Sequence, residues 1–255
     1  MNLKSKTVAI IQARMSSRRL PEKVLLPLAG TPIIGQIFNR LRHCKTLDKI
    51  VLATSVNQDD DPIAAYCASI GLPCLRGSLD DVLDRYYKTA THHGAKTIVR
   101  ITADCPMIDP VVVDAVVTAF LAGRYDYYGL AGNFPDGLDV EVFAYEALKR
   151  AWHEAKLQSE REHVGPYLGK HPELFKTGGL HLFDQLNHHR WTVDEPRDYE
   201  LAKRIYEKLY DPDCVFLTND ILALMNAEPE LMTINSGIIR NEGYAKSLLE
   251  DKALP

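Results

Sequence analysis

Val8-Ala9-Ile10-Ile11-Gln12-Ala13-Arg14-Met15-Ser16-Ser17-Arg18-Arg19-Leu20-Pro21-Glu22-Lys23-Val24-Leu25 is the stretch that decides the fold. Its opening run, Val8 to Ile11, is apolar at every position. It reads as a strand buried on both faces, as in a parallel sheet covered by helices. The run then breaks into small, hydroxylic and basic residues, with Arg14, Arg18, Arg19 and Lys23 interleaved with Ser16 and Ser17. Loops that leave the C-terminal ends of strands are where open α/β sheets bind ligands. Hydroxyls, backbone N–H groups and guanidinium forks in such a loop suit a polyphosphate. A solvated basic loop is the other reading, since charge runs are usually surface. The Gly-x4-Gly-Lys-Ser/Thr phosphate loop is absent, and no Gly precedes Gly30, so a Gly-x-Gly-x-x-Gly turn is excluded here.

Outward from this stretch, strands are expected at residues 49–54, 73–77 and 97–101. Helices are expected at 31–42, 59–69 and 78–93, the last capped by Ser78 or Asp80. Alternating strands and helices of this length imply a three-layer α/β fold with a mostly parallel sheet. Beyond residue 110 the pattern loosens. Helices are expected at 110–122, 145–156, 159–168, 196–210, 218–226 and 241–251. Short strands are expected at 125–128, 138–143, 175–181 and 189–192. The chain is read as one domain over 1–255, with a substrate-covering lobe at about 130–188.

Composition sets the outer bounds. The chain has 255 residues, 46% hydrophobic and 25% charged, an ordinary balance for a globular protein. A net charge of −4 disfavours a general nucleic-acid binder, so the basic loop stands against an acidic background. No apolar run approaches the ~20 residues of a membrane helix, and the first residues do not read as a signal peptide. Five Cys with no Cys-x-x-Cys pair suggest reduced thiols in a cytoplasmic protein. The His pairs 92–93 and 188–189 lack partners at zinc spacing.

The register Ala-Arg-x-x-Ser-x-Arg-Leu-Pro-x-Lys, from Ala13 to Lys23, resembles the signature of the CMP-sugar synthetases. Within them, Gln12-Ala13-Arg14-Met15-Ser16-Ser17 is similar to the branch of spore coat polysaccharide biosynthesis proteins of SpsF type. Glu22 departs from the Gly usual at that position, and is expected to point to solvent or toward a metal. The resemblance implies a Rossmann-like fold of nucleotide-diphospho-sugar transferase type. It extends over 99–106, 135–141, 159–167 and 190–198, and to a tail motif at 234–244 to which no role is assigned.

The resemblance also implies roles. Ala13, Arg14, Ser16, Ser17, Arg19 and Lys23 would contact the nucleotide, with Arg14 and Lys23 on its phosphates. Asp104 directly follows an expected strand, and Asp194 stands in Asp-x-Pro-x-Asp; these match the family's two Mg²⁺-binding acids. Two carboxylates with phosphate oxygens and waters make a normal Mg²⁺ shell. Cys105 is read as non-catalytic, because Mg²⁺ prefers hard oxygens. Thr102 matches a ribose-contacting position. Arg76 and Gly77 lie where relatives hold the pyrimidine ring, and they leave cytosine and uracil undistinguished. Asp136, Asp139 and Glu141 form an acidic segment suited to sugar hydroxyls or an amino group. Arg161 and His163 are further sugar-side candidates, His163 equally a satisfied helix residue. Asp198 is read as a helix-surface charge.

The expected function is therefore Mg²⁺-dependent transfer of CMP from CTP to a sugar hydroxyl. The partners are CTP and a sugar, with no nucleic acid or membrane, and a homodimer is left open. A glycosyltransferase using a nucleotide-sugar donor is the alternative. Its usual Asp-x-Asp motif is missing, since Asp104-Cys105-Pro106 offers one acid.

Overall fold

The computed structural model describes residues 6–240 and 242–253, so Met1 to Ser5 and Asn241 of the tail motif lie outside the described residues. The apolar run becomes β1 (Thr7–Gln12). A two-residue ribbon, β2 (Pro27–Leu28) and β3 (Thr31–Pro32), leads into α1 (Ile33–Leu41). Then β4 (Lys49–Ser55), α2 (Asp61–Ser69), β5 (Cys74–Gly77), α3 (Val82–His93) and β6 (Thr97–Thr102) alternate as expected. The second half holds α4 (Pro110–Gly123), β7 (Tyr127–Ala131), β8 (Glu141–Ala144), α5 (Tyr145–Glu154), α6 (Gln158–His163) and α7 (Pro166–Lys170). It continues through β9 (Thr177–His181), α8 (Pro196–Leu209), α9 (Thr218–Ala227) and α10 (Glu242–Leu249).

Seven strands form one sheet in the order β5-β4-β1-β6-β8-β7-β9. The β5-β4-β1-β6 half is parallel throughout, β8 is antiparallel to β6 and β7, and β9 is parallel to β7. Because side chains alternate along a strand, β1 feeds two cores. Ala9 and Ile11 join Ile33, Ile37, Val113, Val116, Leu201 and Ile205 from α1, α4 and α8. Val8 and Ile10 join Val82, Leu83, Tyr86 and Leu148 from α3 and α5 on the other face. Each fully buried aliphatic side chain contributes roughly 1.5–3 kcal/mol. This two-sided burial is the reason the run carries no polar residue.

Departures from the sequence reading have local causes. The first helix starts at Ile33 because Thr31 and Pro32 pair with Pro27 and Leu28 across Ala29 and Gly30, both at positive φ. The helix expected at 159–168 splits at Val164, at φ 69 and ψ −60, with the Gly165 N–H donating to the His163 carbonyl at 2.8 Å. Pro166 then opens α7, a position where its fixed φ and missing N–H suit a new helix. Residues 189–192 form no strand and contribute only a bridge between Asp136 and Arg190. The stretch at 130–188 places β8 and β9 in the central sheet and lays α5 and α6 against α3. Among the described residues, no helix is long and apolar enough to cross a membrane.

Candidate active site

The parallel register brings the ends of β4, β1 and β6 level. Gln12 pairs with Ala53 and Thr102, the Ala13 N–H donates to Ala53 O, and the Ala103 N–H to Gln12 O. The basic loop leaves from this edge. Asp60 fixes it, accepting from the Met15 N–H at 2.7 Å, the Ser55 N–H at 3.0 Å and the Thr54 hydroxyl at 3.0 Å. Burial would raise the Asp60 pKa, but these donors outweigh it and the carboxyl is held below its ordinary value. The loop closes where the Glu22 N–H meets the Met15 carbonyl. Glu22 there has φ 59, a left-handed conformation that Gly adopts without penalty. Its side chain is exposed, so the departure from Gly is a local strain and brings no acid into the loop.

Lys23 is the centre of the site. It is buried, and its ammonium donates to Asp104 Oδ2 at 3.0 Å, Asp194 Oδ1 at 2.8 Å and the Val193 carbonyl at 2.9 Å. Burial disfavours its charge, yet the two carboxylates prevail and raise its pKa. Asp104 is lowered for the reciprocal reason, its burial being outweighed by Lys23. The two acids meet because the chain at 192–194 runs beside residue 104. The Val193 N–H and the Thr192 hydroxyl both donate to the Asp104 carbonyl, at 2.7 and 3.2 Å. The expected juxtaposition of Lys23, Asp104 and Asp194 is thus present, with the ammonium on the acids in place of phosphate.

Two other loop cations are also paired, while Arg18 is exposed. Arg19 reaches Asp194 at 3.2 Å, Glu195 at 3.6 Å and Glu242 at 3.1 Å; Arg14 lies 3.9 Å from Glu162. Ser16 is exposed, and the Ser17 hydroxyl accepts from the Leu20 N–H at 3.4 Å. Thr102 and Cys105 contact each other at 3.2 Å, and burial pushes the Cys105 thiol well up, away from the reactive thiolate.

One sequence assignment needs correction, and two candidate guanidinium groups are held by neighbouring residues. Asp198 is no surface charge: it is 1% exposed, caps the Asp194 and Glu195 N–H groups, and accepts from Arg190. Arg76, the candidate for the pyrimidine, is held to the end of β4 by Ser55 O, Asn57 O and Asp61. Every nitrogen of Arg161 is engaged, by Asp81 and by Trp152 O, so it steadies the cap of α3.

Further on, Asp136 sits against Arg190 at 2.7 Å, and Glu141 binds Arg100 and the Tyr127 hydroxyl. Asp139, its side chain 41% exposed, takes the Gly137 N–H at 3.0 Å. Gly137 is obligatory, at φ 104 with an added Cβ 2.6 Å from Thr192 N. His163 meets Tyr244 edge to face, with ring centroids 4.9 Å apart, and the Ser247 hydroxyl at 3.1 Å. The tail also sends the Asn235 side chain to Arg190 O and Asp198, and Arg240 to Phe134 O and over the Phe134 ring.

Asp60, Arg190, Asn235 and Arg240 receive no role from the sequence alone. Asp60 stands in an Asp-rich helix start that resembles capping, and the others act across long chain separations. Among the described residues, no group of three or more His, Cys, Asp or Glu side chains gathers as a metal cluster.

A family model for cytidylyltransferases matches residues 8–221. The chain belongs to this family. It is 33% identical to the spore coat polysaccharide biosynthesis protein SpsF of Bacillus subtilis over 232 residues, 88% of this chain and 95% of that one. A solved cytidylyltransferase from Leptospira borgpetersenii superposes with a TM-score of 0.86 at 31% identity, covering 93% of this chain and all of that one. The fold is also that of a CMP:2-keto-3-deoxy-manno-octonic acid synthetase solved with CTP, at a TM-score of 0.59 and 16% identity, over 80% of this chain and 100% of that one. The family segment contains the basic loop, Asp104 and Asp194, while Asn235, Arg240 and α10 lie beyond it.

Proposed function

We propose that this chain, as a single nucleotidyltransferase domain, transfers CMP from CTP to a sugar hydroxyl and releases pyrophosphate for surface-polysaccharide synthesis. The observation that carries the reading is the Lys23 ammonium between Asp104 and Asp194, with Arg14 and Arg19 on the same loop. Positioning and charge do most of the work in phosphoryl-type transfers. Arg14, Arg19 and Lys23 exchange their carboxylate partners for triphosphate oxygens and neutralise the charge on the leaving pyrophosphate. Ala13, Ser16 and Ser17 line the nucleotide's path, and Thr102 lies at the ribose. Asp136, Asp139, Glu141 and His163 orient the acceptor sugar.

Asp104 and Asp194 fit a divalent cation, Mg²⁺ being our choice. They already share one cation, and every donor around it is a hard oxygen. Bound there, the ion supplies positive charge against the phosphates and the attacking oxygen. The five unpaired thiols suit a reducing compartment such as the cytoplasm.

The test is pyrophosphate release from each of the four ribonucleoside triphosphates, with and without a panel of acidic and amino sugars. The expected result is sugar-dependent release from CTP. Nucleotide release from a nucleotide-sugar, with no pyrophosphate from CTP, supports the glycosyltransferase alternative instead.

A further inference from the structure

Arg85, on α3, is 0% exposed, yet only one edge of its guanidinium is used. Its Nη1 donates to Ser78 O at 2.9 Å and to Leu79 O at 3.3 Å. Nε and Nη2 find no partner among the described residues. These two nitrogens form the side-on fork of the guanidinium, the edge that binds planar acceptor pairs. The neighbouring acids are committed elsewhere: Asp81 to Arg161, and Asp60 to Met15, Thr54 and Ser55. A buried polar group left this way calls for a partner. Its position is specific. The stem lies against Gly77, where an added Cβ would stand 2.8 Å from Arg85 Cγ. The fork lies at the end of β5, under the turn at 77–81 and within the field of Arg14.

We propose that Arg85 selects cytosine, its free edge donating two parallel hydrogen bonds to O2 and N3 of the pyrimidine. The inference rests on the cytidylyltransferase reading and adds the base-discriminating residue. In cytosine O2 and N3 are adjacent acceptors and match two N–H donors. In uracil N3 carries a hydrogen, which meets Nε–H or Nη2–H head on. A site built around such a pair rejects the mismatched ligand strongly, because its buried donors are left unpaired. The fork is covered, so the turn at 77–81 lifts to admit the base. Ser78 and Asp80 are exposed on that turn.

The test titrates wild type and Arg85→Met with Mg-CTP and Mg-UTP by calorimetry, alongside thermal melts. Wild type should prefer CTP by roughly 100-fold or more. Arg85→Met should lose roughly 10- to 100-fold in CTP affinity and keep its UTP affinity. It should melt no lower than wild type, since a buried unpaired charge is replaced by a side chain of similar length. A folded Arg85→Met that keeps the CTP preference, or that loses CTP and UTP alike, overturns the assignment. So does a wild type that binds both equally, which leaves the transferase reading standing. Wild type that binds neither nucleotide defeats the transferase reading itself. Hydrogen exchange on wild type guards against a variant that does not fold. CTP and CMP should change exchange at 77–81 and UTP should not, and binding of CTP without such a change contradicts the proposal.

Discussion

Lys23 and Arg85 are both buried cations beside the C-terminal strand ends, Lys23 on the β6 side of β1 and Arg85 on the β5 side. Lys23 donates to three oxygens, two of them ionised. Arg85 keeps half of its guanidinium bare. The difference follows from what each end must accept. A triphosphate arrives with several negative charges, and the cations waiting for it are covered by acids of the chain until it comes. A neutral pyrimidine brings no charge to exchange, so an acid on Arg85 would compete with it. One end is poised by ion pairs that swap, the other by donors left unfilled.

The largest effect expected from breaking this contrast is at Lys23. Lys23→Met should lower turnover by roughly three orders of magnitude, the scale of losing a transition-state charge donor. It should also destabilise the fold by about 3 kcal/mol, since Asp104 loses its cation while Asp194 keeps Arg19 and Arg190. Millimolar Mg²⁺ should then raise the melting temperature of Lys23→Met more than that of wild type. Equal Mg²⁺ responses in the two proteins would show that the aspartates do not form a cation site.

A smaller effect separates two acids of the cleft by pH. Asp104 has a lowered pKa because Lys23 outweighs its burial. It takes up fewer protons folded than unfolded, so its stabilisation holds above the ordinary aspartate range and is lost as pH falls. Asp136 is raised to about 6, first by burial and then by Asp139, against the pull of Arg240 and Arg190. It holds more protons folded than unfolded from about pH 4 to 6, so its contribution is present at low pH and lost as pH rises through that window. The unfolding free energy of Asp136→Asn, from denaturant titration, should therefore fall less between pH 4 and 6.5 than that of wild type, by an amount on the order of 2 kcal/mol. Parallel pH profiles would show that Asp136 is ionised throughout.

How much of this was legible in the sequence follows from distance along the chain. The β1 run, the loop after it and the strand-helix alternation through residue 101 are local patterns, and the structure keeps them. The pairing of Asp104 with Asp194 was reached through resemblance, because no spacing rule predicts that residue 193 hydrogen-bonds residue 104. Asp198 was misread since i,i+4 from Asp194 on an amphipathic helix looks like surface, and only the arrival of Arg190 and Asn235 buries it. The surroundings of Arg76 and Arg85 were hidden for a similar reason. Arg76 stands on the strand end, but the carbonyls of 55 and 57 capture it, while Arg85 returns from α3 beneath Gly77.

The smallest expected effect tests the one strained residue in the loop. Glu22→Gly should relieve a left-handed conformation that costs a non-Gly residue ~1 kcal/mol, partly offset by the freer unfolded chain. A rise of about 1–3 °C in melting temperature with unchanged CTP affinity is expected. A change in affinity instead would mean that the Glu22 carboxylate takes part in binding.

The central claim is that the loop at 13–24 receives a triphosphate. Amide hydrogen exchange of that loop measures it directly, in the presence of Mg-CTP, CMP, or a UDP- or GDP-sugar at matched micromolar concentrations. The account predicts strong protection by Mg-CTP, weaker protection by CMP and little by the nucleotide-sugars. Protection by a nucleotide-sugar, with none by CTP, would contradict it.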